Sequence, residues 1–222
     1  MCISDQPFFI SWSGGKDSTL ALYHALWNSG KPRFLFTMFE ENGVRSRAHG
    51  LPKPLLENQA QSLKIPLVTR SASWTSYESV FVDQLRRFKE QGVQVGVFGD
   101  IDVEGHYIWQ QKVCTAAGLK AYLPLWKRSR RELAYEFVSL GFEAVIVAIN
   151  RQMMDSRFLG RPYNRETLAE LEREGVDVAG ESGEFHTFVT DGPLFRQPIK
   201  VRITNIVSDE NYSFVDWSIF QA

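Results

Sequence analysis

The chain has 222 residues, enough to bury a substantial core as one large domain or as a medium domain with a smaller appendage, and two modules is the reading adopted. Its 25 basic and 26 acidic side chains leave a formal charge of −1, so no global field holds a polyanion or an anionic membrane, and nucleic acid is not an expected partner. With 44% hydrophobic and 13% aromatic residues and no apolar stretch of bilayer length, the composition is that of an ordinary globular protein with no membrane partner.

In chain order, the opening MCISDQPFFI has no basic start, signal-length apolar run or small-residue cleavage site, so a cytoplasmic location is expected. The run 7–12 (PFFISW) predicts a strand feeding a helix over about 17–28. The same alternation follows with 33–39 before a helix near 54–64, then 66–70 before a helix near 76–91. In that third helix Phe81, Leu85 and Phe88 share one buried face. Next come 94–99 with a helix near 105–117, 121–126 with a helix near 129–140, and the apolar run 143–149 (EAVIVAI). Repeated strand–helix units require crossovers, and these predict a doubly wound α/β core around a parallel sheet. After about residue 150 the rhythm changes to an irregular stretch, a charged helix near 164–174 and a Gly/Glu-rich loop. The runs 186–190, 200–207 and 212–220 then alternate as antiparallel strands do. The expected division is 1–125 for the α/β domain and 126–222 for a smaller α+β domain, with a soft boundary between 125 and 150.

The segment Ser13-Gly14-Gly15-Lys16-Asp17-Ser18 follows the first predicted strand and opens the first helix, at the edge where open α/β sheets bind ligands. Gly14 and Gly15 can turn backbone N–H groups inward as a nest for phosphate oxygens, Ser13 and Ser18 add hydroxyls, and the helix start adds a favourable dipole. Lys16 supplies charge. Asp17 caps the helix or holds a Mg²⁺ that a triphosphate also coordinates. The lysine follows the second glycine at once, so this is not a Walker A loop. It resembles instead the PP-loop ATP pyrophosphatases, whose SGGxDS signature binds the pyrophosphate part of ATP while a substrate attacks the α-phosphate. That resemblance implies a PP-loop, adenine nucleotide alpha hydrolase-like fold of Rossmann type, with ATP and Mg²⁺ as cofactors.

Further segments choose among PP-loop enzymes: RAHGLPKPLLENQAQSLKIPLV (47–68), GDIDVEGHYIWQQKVCTAAGL (99–119) with PLW (124–126), GFEAVIVAI (141–149) with FLGR (158–161), and GESGEFHTFVTDGPLF (180–195). Together they resemble the diphthine–ammonia ligase family over about residues 8–195. The resemblance implies adenylation of a carboxylate, release of AMP and pyrophosphate, and attack by ammonia. In that family the carboxylate lies on a modified histidine of elongation factor 2. It assigns Ser13 to Ser18 to phosphate binding, His49 and Gly50 to the neighbourhood of the nucleotide, Gly99 and Asp100 to the active edge of the sheet, and Glu181, Gly183, Glu184 and Thr187 to the substrate site. Its partners would be ATP, a protein-borne or small carboxylate acceptor, and ammonia. The oligomeric state stays open, a homodimer among the alternatives.

The family's GEGGEYET is GESGEFHT here, placing Ser182 and His186 where a glycine and a carboxylate stand, a form that resembles a separate, bacterial branch. A family cysteine before the GE pair is Ala179, and an acidic residue after PLW is Ser129. Bacteria are not expected to make diphthamide, so adenylation carries over more readily than the acceptor. On chemistry alone, Glu181 or Glu184 can position or deprotonate an amine, and His186 can shuttle a proton near neutral pH. Asp17, Glu181, Glu184 and His186 are thus the catalytic candidates. A solvated turn into a strand is the competing reading of that loop.

The remaining features divide similarly. Asp100 serves a metal or ribose, or caps the following helix; His49 contacts nucleotide or is a surface loop residue. The cluster 127–131 (KRSRR) is read as a solvated face, and Trp109 and Trp126 as core or interface residues. Cys2 and Cys114 lack zinc or disulfide spacing, with Cys114 read as a buried apolar side chain. Alternative functions are a tRNA-thiolating PP-loop enzyme, for which sulfur-relay cysteines and a basic surface are missing, an NAD-synthetase-like amide ligase, and a sensor that holds ATP or AMP without turnover.

Overall fold

A computed structural model describes residues 3–47 and 49–219. Cys2, Ala48 of the RAHG run and Phe220 of the last predicted strand lie outside the described residues. Contacts divide the chain into two compact units, one holding the described residues up to Ser13 together with Asp17–Lys127, the other holding Gly14–Lys16 with the residues from Arg128 onward. Among the described residues no helix is long and apolar enough to cross a membrane.

The first unit carries β1 (Pro7–Ser11), α1 (Lys16–Trp27, its first residue belonging to the other unit), β2 (Lys31–Phe39), α2 (Lys53–Leu63), β3 (Leu67–Ser71), α3 (Tyr77–Glu90), β4 (Val95–Val97), α4 (Glu104–Ala116) and β5 (Lys120–Tyr122). The five strands form one sheet in the order β3-β2-β1-β4-β5, and every pairing is parallel. A parallel sheet is covered on both faces, which is why its strands read as nearly unbroken apolar runs. On one face Phe9, Phe36 and Met38 pack with Phe81, Leu85 and Phe88 of α3 and with Val113 and Cys114 of α4. The Phe9 and Phe88 rings stack at 5.2 Å, and removing one such ring from a packed core costs about 3–5 kcal/mol. Cys114 is fully buried, and burial pushes its thiol up to about 12, so it behaves as a small apolar side chain.

The strand order reverses between β1 and β4, making the carboxyl ends of these two strands the switch point of the sheet. The turn after β1 is Ser13 to Gly15, and the turn after β4 is Phe98 to Asp100. A side chain at position 99 would place its first carbon 2.8 Å from the backbone carbonyl of Asp17 and 2.9 Å from the amide nitrogen of Ser18. Gly99 therefore lets the β4 turn lie directly against the start of α1.

The second unit carries α5 (Arg130–Ser139), β6 (Glu143–Asn150), a 3₁₀ turn at Ser156–Phe158, α6 (Arg165–Arg173), β7 (Phe185–Asp191), β8 (Val201–Ser208) and β9 (Tyr212–Ile219). Side chains cap both helices: Ser129 accepts from the Glu132 N–H and Asn164 from the Thr167 N–H. The sheet order is β7-β6-β9-β8, with antiparallel pairings. One expectation is corrected here. The run 143–149 continues the strand–helix alternation that predicts the parallel core, but β6 lies between β7 and β9, and a strand flanked and buried in an antiparallel sheet has the same continuous apolar sequence. The basic run ending at Arg131 is matched within its own unit: Arg128 pairs with Glu136 at 2.7 Å, Arg130 with Asp177 at 2.7 Å and Arg131 with Glu172 at 2.6 Å.

Candidate active site

The β1 strand delivers its last residues into a rigid setting. Trp12 donates its indole N–H to Gln59 at 2.9 Å, and the Trp12 carbonyl accepts from the Thr37 hydroxyl at 2.6 Å. Beyond it the hydroxyl oxygens of Ser13 and Ser18 lie 3.1 Å apart, joining the two ends of the turn. Gly14 has φ +81°, a left-handed conformation that a side chain strains. The helix then begins at Lys16, with Asp17 as the acidic residue of its first turn. Amide groups at such a start have no partner within the helix and, with the dipole, favour an anion.

Within the second unit the Gly14–Lys16 segment lies on β7. The Val189 N–H donates to the Gly14 carbonyl at 2.9 Å, and the Lys16 N–H donates to the Thr187 hydroxyl at 3.1 Å. Lys16 is buried, and its ammonium is 5.9 Å from the centre of the Phe185 ring. The two motifs that stood out in the sequence, SGGKDS and GESGEFHT, are thus joined backbone to strand. Thr187, expected in the substrate site, has its hydroxyl engaged in holding the glycine turn.

The loop before β7 is organised by Asp177, which the sequence reading did not single out. One carboxylate oxygen accepts the Ala179 N–H at 3.0 Å; the other accepts the Glu181 N–H at 3.2 Å and Arg130 at 2.7 Å. An aspartate bonding the backbone two residues on is a recognised turn signal, so this hub was available in the sequence. Gly180 at φ +66° and Gly183 at φ +89° reverse the chain around Glu181 and Ser182. Glu184 is buried, with an exposure of 6%, and accepts the Ser182 N–H at 3.0 Å. Tyr212 donates to the Gly183 carbonyl at 3.2 Å and lies parallel to the His186 ring at 6.5 Å.

His186 is half-buried, and burial, reinforced by the charge of Lys16, pushes its imidazole from 6.5 down to about 4. The ring is therefore neutral at pH 7, which corrects the expectation that it carries a proton to and fro near neutrality. The unfolded chain takes up this proton near pH 6.5 and the folded chain only near pH 4, so between them the unfolded state binds more protons. Stability from His186 is thus full above about pH 6.5 and is lost as pH falls towards 4. Thermal melts of the chain and of His186→Gln across this range are expected to show the midpoint of the unsubstituted protein falling more steeply with acid. Parallel curves would contradict the assignment.

The other nucleotide-side candidates occupy separate turns of the first unit. His49 and Gly50 lie beyond β2, where the Gly50 carbonyl accepts from Arg45 at 2.8 Å and His49 is half-buried. Asp100 does not cap α4, whose N-cap is Val103; its carboxylate instead holds His106 at 2.8 Å and also Gln110. The capping alternative is replaced by this side-chain clasp. An open depression of about 700 Å³ beside the ends of β2 and β3 is lined by Glu40, Glu41, Asn42, Arg47, Ser73 and Trp74, with the Arg47 guanidinium 4.3 Å over the Trp74 ring. That arginine–tryptophan pair escaped the sequence because its members are 27 residues apart and fall in irregular segments. Among the described residues no group of three or more His, Cys, Asp or Glu could hold a metal ion.

A glycine turn and helix start at the switch point of a five-stranded parallel sheet, followed by an antiparallel unit, define a PP-loop-type α/β protein. The chain belongs to the diphthamide synthase family: residues 8–121 match the diphthamide synthase N-terminal domain and residues 129–221 its C-terminal domain. It is similar to the diphthine–ammonia ligase of Bos taurus, 32% identical over 108 residues, which covers 47% of this chain and 40% of that protein. The Homo sapiens enzyme is 31% identical over 121 residues, covering 53% and 44%, and the Rattus norvegicus enzyme 29% over 173 residues, covering 67% and 62%. The matches thus span less than two thirds of these relatives' length. A solved structure described as a predicted subunit of tRNA methyltransferase from Methanocaldococcus jannaschii aligns at a TM-score of 0.46 and 17% identity, over 83% of this chain and 96% of that one, too distant to bear on function.

Proposed function

We propose that this chain is an ATP-dependent, amide-forming ligase. It holds ATP by its polyphosphate at Ser13 to Ser18, an acceptor carboxylate oxygen attacks the α-phosphorus, and pyrophosphate leaves. Ammonia then attacks the acyl carbon of the mixed anhydride, loses a proton, and AMP departs with the oxygen that joined it to the acceptor. The observation that carries this reading is the fixed backbone of the phosphate turn, with Gly14 and Lys16 bonded to β7 and Gly99 admitting the β4 turn against Asp17 and Ser18. A preorganised set of donors stabilises charge that develops on a leaving pyrophosphate without reorganising during the reaction.

In this scheme residues 1–125 bind nucleotide and residues 126–222 bind acceptor and amine. Gly15 and Lys16 complete the phosphate cradle, and His49, Gly50, Gly99 and Asp100 flank the nucleotide. Asp17 would be the residue to hold a Mg²⁺ arriving with the triphosphate, and that ion would supply charge neutralisation. Glu181 and Gly183 shape the acceptor loop, while Glu184 orients or deprotonates the amine. Neutral His186, standing where the ligases' motif has a carboxylate, favours an acceptor other than diphthine with the adenylation step retained.

The test supplies an acceptor whose carboxyl group carries ¹⁸O and examines AMP by mass spectrometry. One label is expected in AMP. Unlabelled AMP, or ADP as the sole nucleotide product, would sink the ligase reading in favour of hydrolysis or a kinase-like transfer.

A further inference from the structure

The second sheet ends in two very different strands. At one end, β7 is largely buried and its Val189 N–H is taken by Gly14. At the other, β8 is exposed along nearly its whole length, and among the described residues no strand pairs with its outer edge. Ile203, Ile206 and Val207 are 37%, 57% and 48% exposed. An exposed edge of this kind, without proline and with bare isoleucines, is a template for another strand.

The sequence of this edge is self-complementary. Lys200 and Arg202 stand at its start, Asp209 and Glu210 just beyond its end, and all four are exposed. Reversing the strand against itself brings each positive end opposite a negative one. The bulge between Ile203 and Asn205 matters as well. Ile203 lies opposite Trp217 and Ile206 opposite Val215 on β9, positions two apart on that strand, so the two isoleucines share one face of the sheet although they are three positions apart on β8. Antiparallel pairing about a two-fold axis near Thr204 and Asn205 sets Ile203 of each copy beside Ile206 of the other, extending the apolar face across the junction. It also sets Lys200 near Asp209.

From this geometry we infer that β8 is the docking edge for a second copy of this chain, forming an antiparallel β8–β8 ladder that joins two four-stranded sheets across a closed two-fold axis. The opposite charges at its two ends select a copy of itself in the reversed direction and disfavour a parallel or slipped register.

Light scattering coupled to size exclusion tests this directly on the full chain, with expected twice the monomer mass for the unsubstituted protein. The double variant Lys200→Glu, Arg202→Glu makes both ends negative, and Asp209→Asn, Glu210→Lys makes both positive. Asparagine at 209 keeps an acceptor for the Asn211 and Tyr212 N–H groups that the carboxylate bonds at 2.9 and 2.7 Å. Each double variant alone is expected to be monomeric, and their equimolar mixture to recover the dimer. Ile206→Asn leaves the charged ends intact and is also expected to be monomeric, which covers the case of a charge variant that fails to fold. A monomeric unsubstituted chain, a dimer that survives in either charge variant or in Ile206→Asn, or two folded monomers that do not recombine would each overturn the inference.

Discussion

Gly14→Val is expected to abolish ATP binding while leaving the fold intact. At φ +81° the turn already occupies a region that β-branched residues avoid, and holding such a residue there costs on the order of 1–3 kcal/mol. The protein can escape that cost by rotating the turn, and the rotation swings the amide N–H groups away from a common focus. The same motion breaks the bond from Val189 to the Gly14 carbonyl. The apolar cluster of the parallel sheet does not rest on this bond, since Phe9, Phe36, Phe81 and Phe88 pack among themselves and with α4. Circular dichroism should therefore report a folded chain and calorimetry with Mg·ATP no heat of binding. Native affinity in the folded variant would show that the phosphates are held elsewhere.

Glu184→Gln is expected to reduce turnover by about 10²–10⁴-fold, the range for losing a positioned general base, with ATP affinity nearly unchanged. Glutamine has the same shape and keeps a carbonyl oxygen to accept the Ser182 N–H, so the loop retains its geometry and only charge and basicity are lost. Glu184 is 6% exposed, so bulk water is poorly placed to substitute for the missing carboxylate. Single-turnover measurement of AMP and amide separates the steps: the amide-forming step should slow most. A rate within a few-fold of normal would remove Glu184 from the chemistry, and loss of ATP binding would move its loop into the nucleotide pocket.

How far these features could be read from the sequence varied with their physical origin. The parallel sheet was accessible because apolar runs alternate with helical periods, and Phe81, Leu85 and Phe88 are buried on one helix face as their spacing requires. The sheet to which β6 belongs was not accessible, since burial on both faces produces the same run of residues in either kind of sheet. The predicted strand over 121–126 shrinks to Lys120–Tyr122 because periodicity does not distinguish a strand from the apolar turn after it. At the site, residue types indicated a glycine turn opening a helix, but local sequence carries no record of contacts such as Lys16 with Thr187. The neutral state of His186 arises likewise from burial and Lys16, distant parts of the chain brought together. Asp100 was assigned to a cap or a ligand because both use a short carboxylate; which partners it holds depends on His106 and Gln110 turning towards it.

The bond from Lys16 to Thr187 joins residues 171 apart, so it forms well after the turn itself has been synthesised. On a ribosome adding roughly 5–20 residues per second, roughly ten to thirty seconds separate the emergence of the two partners. The last strand of the parallel sheet is made by Tyr122, so that sheet can assemble during this interval. The glycine turn meanwhile waits for its partner strand β7. On the proposed function, nucleotide capture at this turn would be complete only after translation has passed β7. A chain released before that point would carry the strands of the parallel sheet without the β7 bonds that fix the turn.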